Sequence, residues 1–198
     1  MLCNMSHLAT WRKRPRIGID HALAAIGWAS QTDDLRLRAY AYDVAARAYA
    51  MDQQDRATHH AIEQAQAVLA SADARTDTYA YFFSAGLLAS TESDCHLQLG
   101  QADQAIDAAK RSLVGIDSSF VRNLALTSLQ LGICHLHREQ PDVASGAAAV
   151  ADAVRLATQN RSARLVDQLQ VGWRELEPWH DDPDVKAVRE QMVFYGLA

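Results

Sequence analysis

The sequence predicts an all-α fold, and three observations carry that prediction. Thirty-six of the 198 residues are alanine, whereas aromatic residues make up 7% of the chain and glycines number nine. This balance is typical of closely packed helices, because alanine is the strongest helix former. Apolar and small side chains also recur every three to four residues from Asp20 onward. Only short polar segments separate these stretches, which makes consecutive helices antiparallel neighbours.

Nine helices are predicted in order along the chain, and local signals mark several of their ends. Asp20 is the expected N-cap of the first helix. Gly100 provides the left-handed residue that ends a helix, and Pro141 stands at the start of another, where its missing N–H costs nothing. Pro178 and Pro183 separate the last two helices. The predicted helices span about 20–29, 33–51, 55–71, 77–99, 102–114, 119–138, 142–158, 162–176 and 184–195.

The first 19 residues depart from this pattern. The run Arg12-Lys13-Arg14-Pro15-Arg16 places four cations beside a proline, and no acidic residue precedes Asp20. A proline interrupts a helix that has already begun. We therefore expect residues 1–19 to form a solvated basic arm, with a nucleic-acid contact as the alternative. Residues 20–198 are predicted to form one helical domain that includes the C-terminal helices.

Charge, hydropathy and cysteine content exclude several classes of protein. A net charge of −5 argues against general capture of nucleic acid, which needs a basic surface, so we expect no direct nucleic-acid partner. No apolar stretch is long enough to span a bilayer, and no signal peptide opens the chain, so no membrane partner is expected. Three cysteines are too few for a disulfide framework. These features predict a cytoplasmic protein with reduced thiols.

Small residues recur at fixed offsets, which indicates repeated helical hairpins. In the first predicted hairpin, Ala46, Thr58 and Ala65 lie 47 residues before small residues at the matching positions of the second hairpin. One register of 39 residues relates the two later hairpins through four pairs, namely Ser93 and Gly132, Cys95 and Cys134, His96 and His135, and Ala105 and Ala144.

This pattern resembles the tetratricopeptide repeat family. The segment 97–106, LQLGQADQAI, followed by Ser112-Leu113, matches the family pattern best, and Leu131-Gly132 through Ala144 and Ala151 is a more degenerate copy. The spacing exceeds the family's 34 residues, and the usual aromatics are largely absent. The resemblance implies a right-handed helical solenoid of about three divergent hairpins over residues 22–176, with capping helices.

The order of the parts is similar to the helical C-terminal region of actinobacterial helix-turn-helix transcriptional regulators. The segments 160–164 (NRSAR), 173–176 (WREL) and 182–185 (DPDV) match the ending of such regions. A helix-turn-helix domain needs three or more helices, and fewer than twenty residues precede the first predicted helix, so the family's DNA-binding activity is not carried over. The resemblance implies a sensing or dimerisation module.

In the tetratricopeptide family, the first helices of successive repeats line a concave groove. The resemblance implies a mixed groove that accepts a protein, a peptide, an amphipathic helix or a small apolar effector. A run of aromatics at Tyr79, Tyr81, Phe82 and Phe83 is predicted on a helix, where it serves either the core or an open groove. The groove residues implied by the register are Tyr40, Asp43, Arg47, Ser90, Asp94, Gln98, Leu129, Ile133 and His137.

Cysteine and histidine side chains suggest a second candidate site. Cys95-His96 and Cys134-His135-Leu136-His137 carry the ligand types that hold zinc or copper. Neighbouring residues on a helix point about 100° apart, however, and these residues recur at matching repeat positions. We therefore interpret them as packing residues and predict no metal. A small-molecule- or metal-binding protein with a catalytic role is the alternative.

Motifs of catalysis are absent from the sequence. It contains no nucleophile elbow, glycine-rich phosphate loop or zinc-protease motif, so we predict no enzymatic activity, no catalytic residue and no cofactor. Trp173, Trp179 and Phe194 place large apolar groups near the C-terminus, where the last helices either cap the repeats or pair in a homodimer. The predicted function is a non-enzymatic protein-, peptide- or effector-binding repeat module in transcriptional regulation.

Overall fold

The computed structural model describes residues 1–72, 78–160 and 162–197, and within these ranges all regular secondary structure is helical. This confirms the prediction of an all-α fold. A short 3-10 turn, Glu177–Trp179, links the last two helices. The helices are α1 Leu2–Trp11, α2 Pro15–Ala29, α3 Leu35–Met51, α4 Asp55–Ala70, α5 Ala85–Gln98, α6 Ala102–Gly115, α7 Val121–Leu136, α8 Val143–Ala157, α9 Ala163–Leu176 and α10 Pro183–Phe194.

The chain divides into two compact units, Met1–Leu99 and Gly100–Ala198. In the first unit, each helix from α1 to α5 packs against the next, and α3 also contacts α1 and α5. Helices α1, α3 and α5 therefore lie side by side, with α3 in the middle. The division places α5 in the first unit and α6 in the second, so the two helices of the predicted hairpin 77–114 are assigned to different units.

The second unit contains α6 to α10 and one large apolar core. Helix α7 contacts α6, α8 and α9, and α10 packs against α8. Within the ranges that the structure describes, no helix has both the length and the apolar character that a membrane crossing requires. The fully buried larger side chains of this core include Val150, Val154, Leu165, Leu169, Leu176, Val185 and Met192.

The N-terminal segment is helical, which corrects the expectation of a solvated arm over residues 1–19. Helix α1 buries Cys3, Ser6, Ala9 and Thr10 and contacts α2 and α3. Pro15 does not interrupt a helix but begins α2, where a proline is well tolerated. As a result, the predicted N-cap at residue 20 lies inside α2.

The aromatic run lies outside any helix, which corrects its predicted placement. Helix α5 begins at Ala85, and the Ser84 side chain accepts a hydrogen bond from the backbone N–H of Leu87 at 3.3 Å, as an N-cap does. The aromatics of residues 79–83 therefore lie in the connection before the helix. The predicted start of this helix at Asp77 lies outside the described residues, as does Arg161 of the regulator-like ending.

Burial supports the 39-residue offset between α5 and α7, the first helices of the two later hairpins. It corrects the offset between their second helices, α6 and α8. Ser93 and Gly132 are both buried, and so are Cys95 and Cys134. Ala105 is fully buried, whereas Ala144 is exposed and Gly146 is buried in its place. The connection between α7 and α8 is longer than the connection between α5 and α6. Helix α6 begins at Ala102 and α8 at Val143, so the second helices match at an offset of 41 residues.

A further copy of the repeat spacing lies in α1 and α2, where the sequence predicted none. Buried small residues at Ser6, Gly18 and Ala25 are separated by 12 and 7 positions, as are the 46–58–65 and 93–105–112 sets. The Ser6 hydroxyl donates to the carbonyl oxygen of Gly18 at 2.8 Å. A Cβ atom at Gly18 would lie 2.6 Å from Oγ1 of Thr10, so glycine permits this close crossing.

Candidate functional site

The candidate site lies on α3 of the first unit, where a buried polar cluster joins this helix to α5. The Arg47 guanidinium donates through Nη1 to Oδ2 of Asp94 at 2.6 Å and through Nη2 to the Thr91 hydroxyl. Its Nε lies 3.5 Å from Oδ2 of Asp43. We call Asp43, Arg47, Thr91 and Asp94 the Arg47 cluster. It contains two carboxylates and one guanidinium, so it carries an excess negative charge when both acids are ionised.

Asp43 is the most deeply buried charged group of this cluster. The residue is 2% exposed, and its Oδ1 atom has no hydrogen-bond partner among the residues that the structure describes. Burial raises the pKa of the Asp43 carboxyl, and the neighbouring Arg47 lowers it only in part. Burial alone would lower the pKa of Arg47, but Asp43 and Asp94 outweigh it and raise the pKa. The guanidinium therefore remains charged and holds the two acids.

This geometry changes the role of two predicted groove residues. Asp43 and Arg47 bond mainly with each other and with α5, so they stabilise the packing of α3 on α5. Asp94 differs, because 37% of its side chain is exposed and only its Oδ2 atom binds Arg47 at 2.6 Å. Asp94 is thus the acidic group of the cluster that is available to a partner.

Aromatic rings continue the site from the Arg47 cluster toward α1 and the 78–84 connection. The Tyr40 ring centroid lies 5.2 Å from that of Phe82, 5.3 Å from that of Phe83 and 6.0 Å from that of His7. Burial raises the pKa of the Tyr40 hydroxyl, with the Asp43 charge adding to the effect. The row of touching rings, which we call the aromatic row, comprises Trp11, His7, Tyr40, Phe82, Phe83 and Tyr81.

The ends of the aromatic row are open to solvent. Trp11 is 56% exposed and Tyr81 is 76% exposed, and the neighbouring Tyr79 is 70% exposed. Sequence reasoning missed Trp11 and His7, because it placed them in a solvated arm. The signal that could have found them is the spacing of small residues at positions 6, 18 and 25, which marks α1 and α2 as a repeat.

The other predicted groove residues of α5 lie beside the Arg47 cluster. Ser90 is half-buried and Gln98 is exposed. The backbone carbonyl of Gln98 accepts a hydrogen bond from Nε2 of Gln53 at 2.8 Å, which ties the end of α5 to the α3–α4 connection. The first unit therefore brings together Tyr40, Asp43, Arg47, Ser90, Asp94 and Gln98 on α3 and α5.

The three predicted groove residues of α7 lie in the second unit and differ in exposure. Leu129 is 3% exposed, and a Cβ atom at Gly172 would collide with its Cδ1, so this leucine packs in the core against α9. Ile133 is half-buried against the same core. His137 is exposed, and its Nε2 lies 2.9 Å from Oε2 of Glu175. Of the three, His137 alone presents a polar group to solvent.

The cysteine and histidine positions form two separate sets. Cys95 and Cys134 are buried cysteines of different units, and burial raises the pKa of Cys95. His96 lies 3.8 Å from Glu92, and its ring centroid is 5.4 Å from that of His59. His135 lies 3.6 Å from Asp142, and burial lowers its pKa. Among the residues described, no group of three or more His, Cys, Asp or Glu side chains is arranged to hold a metal ion.

Comparisons with known proteins add no relative to this geometry. No protein-family model matches the chain, and neither the curated proteins nor the solved structures that were searched contain a match to it.

Proposed function

We propose that this chain is a non-enzymatic, tetratricopeptide-like repeat module that binds a peptide on the α1–α3–α5 face of its first unit. The observation that carries the proposal is the aromatic row, whose rings come from α1, α3 and the connection before α5 and whose ends are exposed. Aromatic side chains dominate the energetics of protein interfaces, because they bury a large rigid surface. Tyr40 of the row lies two helical turns before Arg47 on α3, and Arg47 binds Asp94, so we expect apolar and acidic groups to share one face.

The repeat spacing supports the tetratricopeptide part of this proposal. Buried small residues separated by 12 and 7 positions occur in three successive helix pairs, and a fourth pair differs by the longer α7–α8 connection. In the resembled family, the first helices of the repeats form the binding surface, and we propose that α1, α3 and α5 have that role in this chain. A role in transcriptional regulation follows from the resemblance to actinobacterial regulators.

The charge of the site defines the kind of peptide that it fits. The Arg47 cluster has one more carboxylate than guanidinium groups, and its exposed member is Asp94. Aromatic faces also attract cations. We therefore propose that the peptide carries a lysine or arginine that contacts Asp94, next to an apolar residue that covers Tyr40 or Phe82.

A displayed peptide library panned against the immobilised full chain tests this function. We expect enrichment of peptides with a basic residue beside an apolar one. Tyr81→Ala should weaken the selected peptides by about tenfold, since truncating an aromatic side chain that a partner contacts costs on the order of 1–2 kcal/mol. Asp94→Asn should weaken basic peptides more than neutral ones.

The matched control is Val114→Ala, because Val114 is 89% exposed and lies in the second unit. This variant should bind the selected peptides as tightly as the unchanged chain. Equal affinities for the unchanged chain and for Tyr81→Ala would contradict the proposed site.

A further inference from the structure

A single arginine joins a buried carboxylate to an exposed one in the first unit. The guanidinium of Arg47 donates to Oδ2 of Asp94 at 2.6 Å, and its Nε lies 3.5 Å from Oδ2 of Asp43. The two acids differ in their surroundings, because the Asp43 side chain is 3% exposed and that of Asp94 is 37% exposed. The shorter contact belongs to the exposed acid, so the charge of the buried acid is less fully compensated.

The Asp43 carboxyl is arranged to take up and release a proton. Its Oδ2 atom faces Arg47, whereas its buried Oδ1 atom has no hydrogen-bond partner among the described residues. A proton on Oδ1 therefore leaves the contact with Arg47 in place. Burial raises the pKa of Asp43, Arg47 opposes this effect only in part, and the charge of Asp94 raises the pKa further. Neutralising Asp94 should thus favour the ionised form of Asp43.

The protonation of Asp43 sets the net charge of the Arg47 cluster. With both acids ionised, the cluster carries one excess negative charge. With Asp43 protonated, Arg47 balances Asp94 and the cluster is neutral. Because Asp43 is removed from water, salt screens its interaction with the other two groups only weakly. A cation that approaches Asp94 is therefore attracted more strongly when Asp43 is ionised.

Other ionisable groups lie on the helices that pack around Asp43. Burial raises the pKa of the two cysteines and of the tyrosine hydroxyl that interact with Asp43, so these groups titrate at alkaline pH. On α2 and α4, which also pack against α3, Arg16 and His59 pair with other acids. The ionisable side chains that interact electrostatically with Asp43 are Cys3 on α1, Tyr40 and Arg47 on α3, and Asp94 and Cys95 on α5.

We propose that Asp43 is a positioning residue of the peptide site, which acts through Arg47 and makes the binding of a basic peptide at Asp94 depend on the ionisation of Asp43. Where Asp43 is protonated in the unbound chain, peptide binding releases that proton to the solvent. Linkage makes the effect reciprocal, so a bound basic peptide lowers the pKa of Asp43. This inference rests on the proposed function, because it concerns the regulation of the same site.

Peptide titrations of the full chain over about pH 4 to 9 test the dependence. A selected lysine-containing peptide should bind about fivefold or more tightly at the alkaline end, within the usual range of coupling between two sites. Asp43→Asn should lose this rise, and the same peptide with glutamine in place of lysine should show little pH dependence. His7, whose ring contacts that of Tyr40, is present in both chains, so a histidine effect would appear in both.

The matched control is Asp103→Asn in the second unit. The Asp103 side chain is 77% exposed and pairs with Arg138, so this variant also removes one carboxylate from an arginine. It should keep the full pH dependence of peptide binding. Circular dichroism should show that Asp43→Asn is folded, since the amide has nearly the size of the carboxyl.

Carbon-13 NMR titration of the aspartate carboxyls measures Asp43 directly and requires no peptide in its first step. Asp94→Asn should lower the pKa of Asp43, because it removes a neighbouring negative charge and leaves Arg47 to Asp43 alone. In the unchanged chain, saturation with the lysine-containing peptide should lower the pKa of Asp43 as well. This measurement also decides the matter if Asp43→Asn does not fold.

The outcomes separate this inference from the proposed function. Equal pH profiles for the unchanged chain and Asp43→Asn, or a pKa of Asp43 that does not fall in Asp94→Asn, would overturn the inference alone, provided that Tyr81→Ala still weakens the peptide. A library that enriches no peptide would overturn the proposed function and the inference with it.

Discussion

The first and last helices of the chain treat their apolar residues in opposite ways. Helices α9 and α10 bury most of their large side chains, such as Leu169 and Met192, and leave Lys186 and Glu190 outside, although Phe194 at the end of α10 is 82% exposed. Helices α1 and α2 bury small residues such as Ser6 and Gly18 and expose the large ones. The two pairs of helices therefore differ in what they expose, since α9 and α10 leave mainly polar and charged side chains outside, whereas α1 and α2 leave large apolar ones.

The contact between alternate helices also differs between the two units. In the first unit, α3 meets α5 through the Arg47 cluster, which is polar and buries Asp43 and Thr91. In the second unit, α7 meets α9 through Leu129 against Gly172, with the exposed His137–Glu175 pair beside it. A buried ionic junction is sensitive to the loss of one partner and to pH, whereas an apolar junction depends on shape. Four substitutions test this difference.

The largest expected effect is that of Arg47→Ala. Removing the guanidinium leaves the buried Asp43 carboxylate without its counter-charge, which should lower the free energy of unfolding by about 3–5 kcal/mol. The control is Arg138→Ala in the second unit, which removes a 2.8 Å ion pair to the exposed Asp103 and should lower it by about 0–1 kcal/mol. Urea denaturation measures both, and equal losses would contradict the distinction.

Gly132→Ala tests the shape dependence of the second unit. A Cβ atom at this position would lie 2.7 Å from Cγ2 of Val150 and 2.9 Å from the carbonyl oxygen of Gly146, so α7 and α8 must move apart. We expect a loss of about 1–3 kcal/mol in the free energy of unfolding. At Gly27 a Cβ atom would meet nothing within 4 Å, so Gly27→Ala should raise stability by up to about 1 kcal/mol. A stabilised Gly132→Ala would show that the crossing is loose.

Asp43→Asn should alter the pH dependence of stability. Burial raises the pKa of Asp43 above its ordinary value of 3.8, so the native state binds a proton that the unfolded state has released. The free energy of unfolding should therefore fall as pH rises from 3.8 through the native pKa. The neighbouring ionisable groups are Arg47, Asp94, Cys3 and Tyr40, and the variant keeps all of them. Thermal melts at a series of pH values should show a smaller decline for the variant, and an identical decline would assign the effect elsewhere.

The smallest expected effect is that of His137→Ala. Its ion pair with Glu175 is exposed, so the free energy of unfolding should change by less than about 1 kcal/mol. Peptides selected on the unchanged chain should also bind this variant equally well, since the proposed binding face lies in the first unit. Chemical denaturation and fluorescence titration measure the two quantities. Weaker peptide binding by the variant would return His137 to the binding surface.

The sequence predicted the helices well where apolar residues or caps marked them. Helix α10 spans Pro183–Phe194, within one residue at each end of the predicted range 184–195, and Asp182 caps its start. Gly100 has a positive φ of 75°, as expected of a residue that ends a helix. Helix α1 escaped prediction because its buried side has polar members, Ser6 and Thr10, which resemble the exposed side of an ordinary helix. The exposed side of α1 is apolar, which also reverses the pattern of an ordinary surface helix.

The candidate site was predicted only in part, because some of its contacts depend on distances between helices and on irregular backbone. The resemblance to the tetratricopeptide family implied, through the repeat register, that Tyr40, Arg47 and Asp94 share one groove. It could not show that Arg47 would bind both carboxylates, because that depends on the distance between α3 and α5. It also could not place Phe82, since a connection without regular structure has no period to extrapolate.

The three buried thiols give each unit an internal reporter of its own opening. Cys3 and Cys95 are shielded in the first unit and Cys134 in the second. A thiol reagent reaches each of them only when the surrounding helices separate. The rate at which each cysteine is alkylated in native buffer therefore measures how often the helices around that cysteine separate.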